Sequence, residues 1–459
     1  MRMRTLGGIA LLLLAALPAR AQDETLIEPA RFLIERITVE GTKEAAANIV
    51  RSEILLREGE TYTEDQLRQA VYRVHRLPFV LDASFSLRKG SQRGAFELLI
   101  EVQPARWFFY DQWNRFFRSS QPLDLEEHAL ELDRTSLSAD ILVGARLFVG
   151  RSGVVFGGLN SQDGIEAGFT KYDLFHRGIL ASAGLSWNSC CVREVLPLAL
   201  DPTFSSWSFS SSRKISLGLS IPLGGPQSLQ LSLSDRRADS GTLQPVLGTH
   251  TDSIQLFDFS SFALGSDLDY RRAEAKWVFD STDDPLVPSR GLSLSAGIEG
   301  SQLTAHDLVS VFRSGFLGDE TETRFPSSKS EQVIGAASAI RHWSLTPRQT
   351  VSVSGRISGG QSRLEHLLVG EEVLPHVDVD FIGGSLGLQH ALTLKRSRQP
   401  GELSDLRLES GAEAGLERTS PDLGPSPLRR LSVWVGFVFR NQWGRVRVML
   451  TYLNLGKSE

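Results

Sequence analysis

From about residue 139 to the end of the chain, apolar and polar residues alternate in short stretches separated by polar, glycine-rich turns. Ile179, Ala181, Ala183, Leu185 and Trp187 fall on one face and Ser182, Gly184 and Ser186 on the other. The same period of two recurs at Ile215, Leu217, Leu219 and Ile221, at Leu229, Leu231 and Leu233, and at Leu292, Leu294, Ala296 and Ile298. It returns at Leu431, Val433, Val435, Phe437 and Phe439, and finally at Val446, Val448, Leu450 and Tyr452. Period two is the mark of a strand with one apolar face. Stretches of about ten residues suit a tilted transmembrane strand. The polar face is rich in Ser, Gly, Arg and Asp, as a wet lumen requires, and Trp187, Trp277, Trp443 and Tyr452 sit near stretch ends, where an interfacial girdle would lie. The pattern predicts a mainly β chain whose residues 139–459 form a transmembrane antiparallel β-barrel of about 16 strands. A secreted sandwich or β-helix is the soluble alternative. The chain shows no fixed repeat of about 20 to 50 residues, which counts against a solenoid.

Residues 22–104 read differently. Ile37 and Val39 alternate with polar neighbours, and Gly41 breaks that strand. Ala46, Val50 and Ile54 follow at helical spacing, ending at Gly59. Thr63 and Gln66 form a capping box for a second helix carrying Leu67, Ala70, Val71 and Val74 on one face, and Pro78 stops it. Two alternating strands follow, through Leu81, Ala83, Phe85 and Leu87, then Phe96, Leu98, Ile100 and Val102. The order strand, helix, helix, strand, strand lets two helices cover one sheet face around a single core. Between the two parts, residues 105–138 open with the aromatic run Trp107, Phe108, Phe109, Tyr110, Trp113, Phe116 and Phe117. That run reads as an interfacial linker, a first barrel strand or a docking surface for the small domain.

Charge and composition narrow the compartment. Arg2 and Arg4, an apolar stretch over 9–17 and Ala19-Arg20-Ala21 have the form of a secretory signal over residues 1–21. Beyond it no apolar run approaches the length of a membrane helix. A net charge of -5 with interspersed signs gives no footprint for nucleic acid. The two cysteines are adjacent, Cys190 and Cys191, and read as loop thiols; no cofactor or metal set at ligand spacing is apparent.

The small segment, with Ile37-Thr38-Val39-Glu40-Gly41, the Gly59 turn and Leu77-Pro78-Phe79, resembles a polypeptide-transport-associated (POTRA) domain. Asp283-Asp284-Pro285 followed by Pro288-Ser289-Arg290-Gly291 looks like the turn of the BamA/TamA family of outer-membrane assembly barrels, in which an acidic-Pro and then Pro-x-Arg-Gly lead into a barrel strand. Asp173-Leu174-Phe175-His176-Arg177-Gly178 is similar to a second turn of that family. The resemblance implies a third element, a lumen loop opening with Gly-Gly and bearing an Arg. Phe381, Gly383 and Gly384 match its start, but Gln389 stands where the Arg is expected and His390 replaces a glycine. Gln389 brings no charge, so a charge-assisted contact with the wall would be lost.

The resemblance implies a cell-outer-membrane protein with its small domain in the periplasm. Its partners would be outer-membrane lipids, unfolded outer-membrane or secreted protein clients and periplasmic accessory proteins. The expected function is client insertion or translocation, with structural determinants at Asp283, Asp284, Pro285, Pro288, Arg290 and Gly291 and in the 381–389 loop. A passive channel or surface scaffold is the alternative, motivated by the Gln389 departure. Gly383-Gly384-Ser385-Leu386-Gly387 fits the Gly-x-Ser-x-Gly pattern of hydrolases. That pattern requires a strand-to-helix elbow, which a barrel stretch does not supply, so no enzyme activity is expected. His75 reads as a surface residue of the second helix.

Overall fold

A computed structural model describes residues 30–111, 134–138, 142–160, 164–188, 193–195, 206–247, 259–284, 288–313, 320–325, 328–369, 372–397, 404–419, 428–441 and 444–457. The small unit comprises β1 (Arg31–Glu40), α1 (Glu44–Ile54), β2 (Thr61–Thr63), α2 (Glu64–His75), β3 (Val80–Lys89) and β4 (Ala95–Pro104). Its sheet runs β2-β1-β4-β3, with β1 and β4 parallel. Strand β2 is too short for periodicity to reveal. The capping box forms as the sequence indicates: Gln66 N donates to Thr63 Oγ1 at 3.3 Å and Thr63 N donates to Gln66 Oε1 at 2.8 Å. Ile34, Ile49, Leu67, Val74, Leu98 and Ile100 are at most 1% exposed and fill the space between helices and sheet. Each such side chain contributes about 1.5–3 kcal/mol of burial.

The remaining strands are β5 (Phe108–Asp111), β6 (Arg134–Ser138), β7 (Leu142–Val149), β8 (Gly153–Asn160), β9 (Gly164–Leu174), β10 (Ile179–Asn188), β11 (Arg193–Val195), β12 (Ser206–Gly224) and β13 (Gln227–Leu247). They continue with β14 (Phe259–Asp280), β15 (Gly291–Arg313), β16 (Glu320–Phe325), β17 (Ser328–Thr346), β18 (Gln349–Val369), β19 (Glu372–Ser397), β20 (Ser404–Thr419), β21 (Leu428–Asn441) and β22 (Gly444–Lys457). Together they close into a barrel. Of these segments β5, β6, β11 and β16 are short, which leaves fourteen long strands among the described residues against the sixteen or so expected.

Closure sorts the side chains. Leu185, Leu233, Ile298 and Leu386 are 56–67% exposed on the outside, whereas Ser182, Gln230, Lys276 and Glu409 are buried inside. That arrangement inverts a soluble protein and suits a lipid surround. On the outside, apolar Ile215 and Leu233 give way along β12–β14 to Arg213, Asp235 and Arg271. Arg213 lies over the ring of Trp187, 5.5 Å from its centroid, as expected at a girdle. No described helix is long and apolar enough to cross a membrane, which has no bearing on strands.

The seam departs from the regular wall. Among the described residues, strand β22 pairs antiparallel with β6 through five residue pairs, from Met449↔Ser138 to Leu453↔Arg134. Near its start it also meets β5 in parallel, through Gly444↔Tyr110 and Arg445↔Asp111 among the described residues. On its other side β22 pairs with β21 through fourteen residue pairs. Thus β5, which follows the small domain directly, is wedged between β22 and β7. Phe108, Phe109 and Tyr110 of the aromatic run therefore belong to the wall, and Trp113, Phe116 and Phe117 lie outside the described residues.

The expected lumen loop is not where the motif placed it. Phe381, Gly383, Gly384 and Gln389 all lie within β19, paired to β18 and β20: Phe381 to Gly360 and Thr419, Gln389 to Ser352 and Gly411. The reason is the alternation itself. Ile382, Leu386 and Leu388 are 50–67% exposed on the outer face, so this stretch carries the apolar side of the wall and cannot leave it without placing backbone amides unpaired against lipid. Ser385 is mid-strand opposite Arg356 and Gly415, without an elbow. Residues 1–21, Cys190, Cys191, Pro285 and Trp443 lie outside the described residues.

Candidate functional site

The turn singled out in the sequence, between β14 and β15, meets the small domain at one end of the barrel. Asp283 shapes it. Its Oδ1 accepts from Ser289 N at 2.8 Å and Arg290 N at 3.2 Å, and Ser289 Oγ donates to Oδ2. Gly291 enters β15 at φ +118°, and a Cβ there would meet Ser281 O and Thr282 Cα at 2.6 Å. Gly291→Ala is expected to destabilise the barrel by about 1–3 kcal/mol, read as a lower temperature for loss of heat-modifiable gel mobility; an unchanged temperature would show that the turn tolerates a side chain.

The other turn residues reach outward in two directions. Asp284 Oδ2 accepts from Arg440 Nη1 of β21 at 2.7 Å, and Arg440 also binds Asp405 of β20 at 2.5 Å. Pro288 O accepts from Arg407 of β20 at 3.3 Å. Strands β17, β18 and β19 stand between β15 and β20, so these contacts carry the turn across the barrel mouth. In the opposite direction Arg290 Nη2 donates to Tyr72 Oη of α2 at 2.9 Å.

Helix α2 presses its last turn into this end. Arg76 grips Asp280 with two nitrogens, Nε to Oδ2 at 3.0 Å and Nη2 to Oδ1 at 2.8 Å, and Nη2 also donates to Asp280 O and Thr282 O. Both side chains are under a tenth exposed. Arg73 Nη1 donates to Gly225 O of the β12–β13 turn at 2.6 Å and its Nε to Glu53 O at 2.9 Å. Burial, with the like charge of Arg76 alongside, pushes the Arg73 guanidinium down to about 10, still cationic at neutral pH. His75, expected on the surface, is largely buried: Nδ1 lies 3.2 Å from Asp283 O and Nε2 within 2.9 Å of both Ala83 N and Ala83 O. The helix periodicity marked the core face of α2 correctly but could not show that its polar face is covered too.

A second contact is apolar. After α2 the Leu77-Pro78-Phe79 turn enters the mouth. Phe79, 1% exposed, packs edge-on against Phe148 at 5.0 Å and Tyr172 at 6.2 Å. Val154, Tyr172 and Leu180 of the barrel join the same core as Ile49 and Leu67 of the small domain. Arg146 of β7 donates to Pro78 O and lies 4.1 Å over the Phe109 ring. A third contact uses the other family-like turn. Asp173 Oδ1 accepts from Gly178 N at 3.0 Å, and a Cβ on Gly178, at φ +66°, would strike Leu55 Cδ2 of the small domain at 2.7 Å. Both turns that carried the resemblance thus face the small domain, while the matched 383–389 stretch is ordinary wall. No sequence pattern marks Arg73, Arg76 or Arg440, which are common residue types at unremarkable spacings. No cluster of metal-ligating side chains occurs among the described residues.

Comparison with known proteins supports the small domain directly. Residues 32–105 match the family model described as POTRA, surface antigen variable number repeat. No curated protein matches the chain. Among solved structures the chain is similar to BamA from Haemophilus ducreyi lacking POTRA domains 1–3, at 10% identity and a TM-score of 0.35, over 92% of this chain and 84% of that one. It is also similar to CdiB from Escherichia coli, at 11% identity and a TM-score of 0.31, over 98% of both chains. The siderophore receptor PiuA from Acinetobacter baumannii scores as high, at 8% identity and a TM-score of 0.38, over 92% of this chain and 71% of that one.

Proposed function

Starting from a POTRA domain docked on the mouth of a β-barrel with a thinly paired seam, we propose that the protein inserts or translocates other polypeptides at an outer membrane, with its POTRA domain in the periplasm. The seam carries this reading. A client strand inside lipid needs partners for every backbone N–H and C=O, and an edge already short of partners supplies them at the smallest cost. Among the described residues, five antiparallel and two parallel pairs hold β22 on that side, against fourteen on the other. The free edge of the POTRA sheet would collect the extended client first, through backbone hydrogen bonds that are indifferent to its sequence.

The direct test is to lock the seam. Leu137 and Leu450 are partners in register, and facing residues of an antiparallel pair bring their Cβ atoms within disulfide reach. In a background with Cys190 and Cys191 replaced by serine, Leu137→Cys with Leu450→Cys is expected to abolish client insertion into liposomes when oxidised and restore it when reduced. Full insertion by the oxidised form would end the proposal. An open passive channel is the competing reading. Phe79 and the crossing turn both occupy the mouth, which opposes a standing pore, and with Gln389 in the wall the substitution that suggested lost activity has no lumen loop to act in. Steady ohmic conductance without insertion would favour the channel.

A further inference from the structure

Beside the docked turn lies a cleft of about 540 Å³ between the POTRA domain and the barrel mouth, lined by Arg68, Tyr72, Phe85, Ser289, Arg290 and Arg396 among others. One wall is the edge strand β3, which among the described residues pairs only with β4. The direction of its backbone groups can be fixed. Gly90 N donates to Ala95 O at 2.9 Å, so even-numbered positions of this hairpin face β4. Ala83 N and Ala83 O instead meet His75 Nε2 at 2.9 and 2.8 Å, on the open side. By the period of two, Phe85 and Leu87 also aim their N–H and C=O away from β4, and among the described residues nothing takes them up. The free edge therefore begins at Phe85, is stopped at Ala83 by the His75 side chain, and ends at the cleft.

Polarity selects what arrives there. A strand added antiparallel to β3 runs from Lys89 toward Ala83, so its C-terminal end reaches the cleft. The acids of the cleft are engaged. Asp284 is paired with Arg440 at 2.7 Å, Asp283 accepts from Ser289 and the Arg290 backbone, and Asp82 lies 3.4 Å from His75. The arginines keep donors in reserve. Arg290 is exposed and donates to the Tyr72 hydroxyl, Arg396 is 44% exposed and stands 3.9 Å from Asp405, and Arg68, held by Glu64 at 2.5 Å, has a buried Nε without a partner. We propose that this cleft is a carboxylate site for an extended polypeptide: β3 pairs with the segment, and Arg290 and Arg396, with Arg68 behind them, bind the carboxylate at its C-terminal end. The site deepens the edge-capture reading above and rests on it.

The test uses the full chain in detergent micelles and the fluorescence anisotropy of a short peptide of alternating valine and threonine. The peptide is made with a free carboxylate, with a C-terminal amide, with the amide and one internal glutamate, and with alternate backbone nitrogens methylated. The free acid is expected to bind about tenfold more tightly than the amide, as charge-assisted hydrogen bonds warrant, and added salt should narrow the difference. Arg290→Ala with Arg396→Ala should erase the difference while leaving amide binding in place. N-methylation should abolish binding of every form without any change to the protein. Equal binding of acid and amide, both lost on methylation, overturns the carboxylate site and leaves edge capture standing. Failure of every peptide to bind overturns both. A glutamate amide that matches the free acid overturns the assignment to the chain end.

Discussion

Arg76→Ala is expected to release α2 from the barrel mouth at a cost of about 3–5 kcal/mol to the docked state, the usual consequence of leaving one half of a buried ion pair behind. The magnitude follows from Asp280, not from the lost arginine alone. In the native arrangement the Asp280 carboxylate meets Arg76 at 2.8 and 3.0 Å and also accepts from Thr282, from its Oγ1 at 2.6 Å and its N at 3.0 Å. Without the guanidinium a charge under a tenth exposed has lost its counter-ion. Hydrogen exchange along α2 and proteolysis near residue 105 should both rise sharply in the detergent-solubilised protein. A second substitution, Asp280→Asn, should recover part of the loss in the Arg76→Ala background, because a neutral amide tolerates the site better than an orphaned carboxylate. Unchanged exchange in Arg76→Ala would mean that the apolar contact holds the domain by itself.

Phe79→Ala is expected to cost about 3–5 kcal/mol, the range for truncating a fully buried aromatic side chain. Phe79 belongs to the one core that joins the two parts, in a cluster with Leu77 of the POTRA domain and edge-on against Phe148 and Tyr172 of the barrel. The substitution should therefore lower the POTRA unfolding transition and raise single-channel conductance together, whereas Arg76→Ala should affect docking with little change to the domain core. Phe79→Leu, which keeps most of the volume, should fall between. A Phe79→Ala protein with normal melting and a silent conductance trace would show that the ring is not what occupies the mouth.

These two residues mark the limit of what pattern reading reaches. The second helix was legible down to its cap, because Thr63 and Gln66 satisfy backbone groups within one turn, and Leu67, Ala70, Val71 and Val74 lie on one face by helical geometry alone. The strands were legible for the same reason, since adjacent side chains of a strand point to opposite faces whatever the strand pairs with. The turn after β14 was legible because proline and glycine act on their own backbone. Arg76 is different. It caps the C-terminal end of α2, where a cation is unexceptional, and its partner lies 204 residues away. The Gly383-Gly384 stretch failed in the opposite sense. A local match suggested a loop, but the outer-face series Ile382, Leu386 and Leu388 ran through it, and the cost of unpaired amides in lipid outweighed the motif.

By itself the sequence determined the local geometry of the longer elements: which are helices and which strands, which face of each is apolar, and hence a small α+β domain followed by a barrel wall. The tertiary structure alone decided how these parts close on one another. It placed a short strand in the seam, laid the β14–β15 turn across the mouth toward Arg440 and Arg407, and brought Tyr72, Arg73, His75 and Arg76 against it. The reason is physical. Periodicity and capping depend on neighbours within a turn or a pleat, whereas charge pairing and closure depend on which distant surfaces meet once the sheet has curved onto itself, and no local rule encodes that distance.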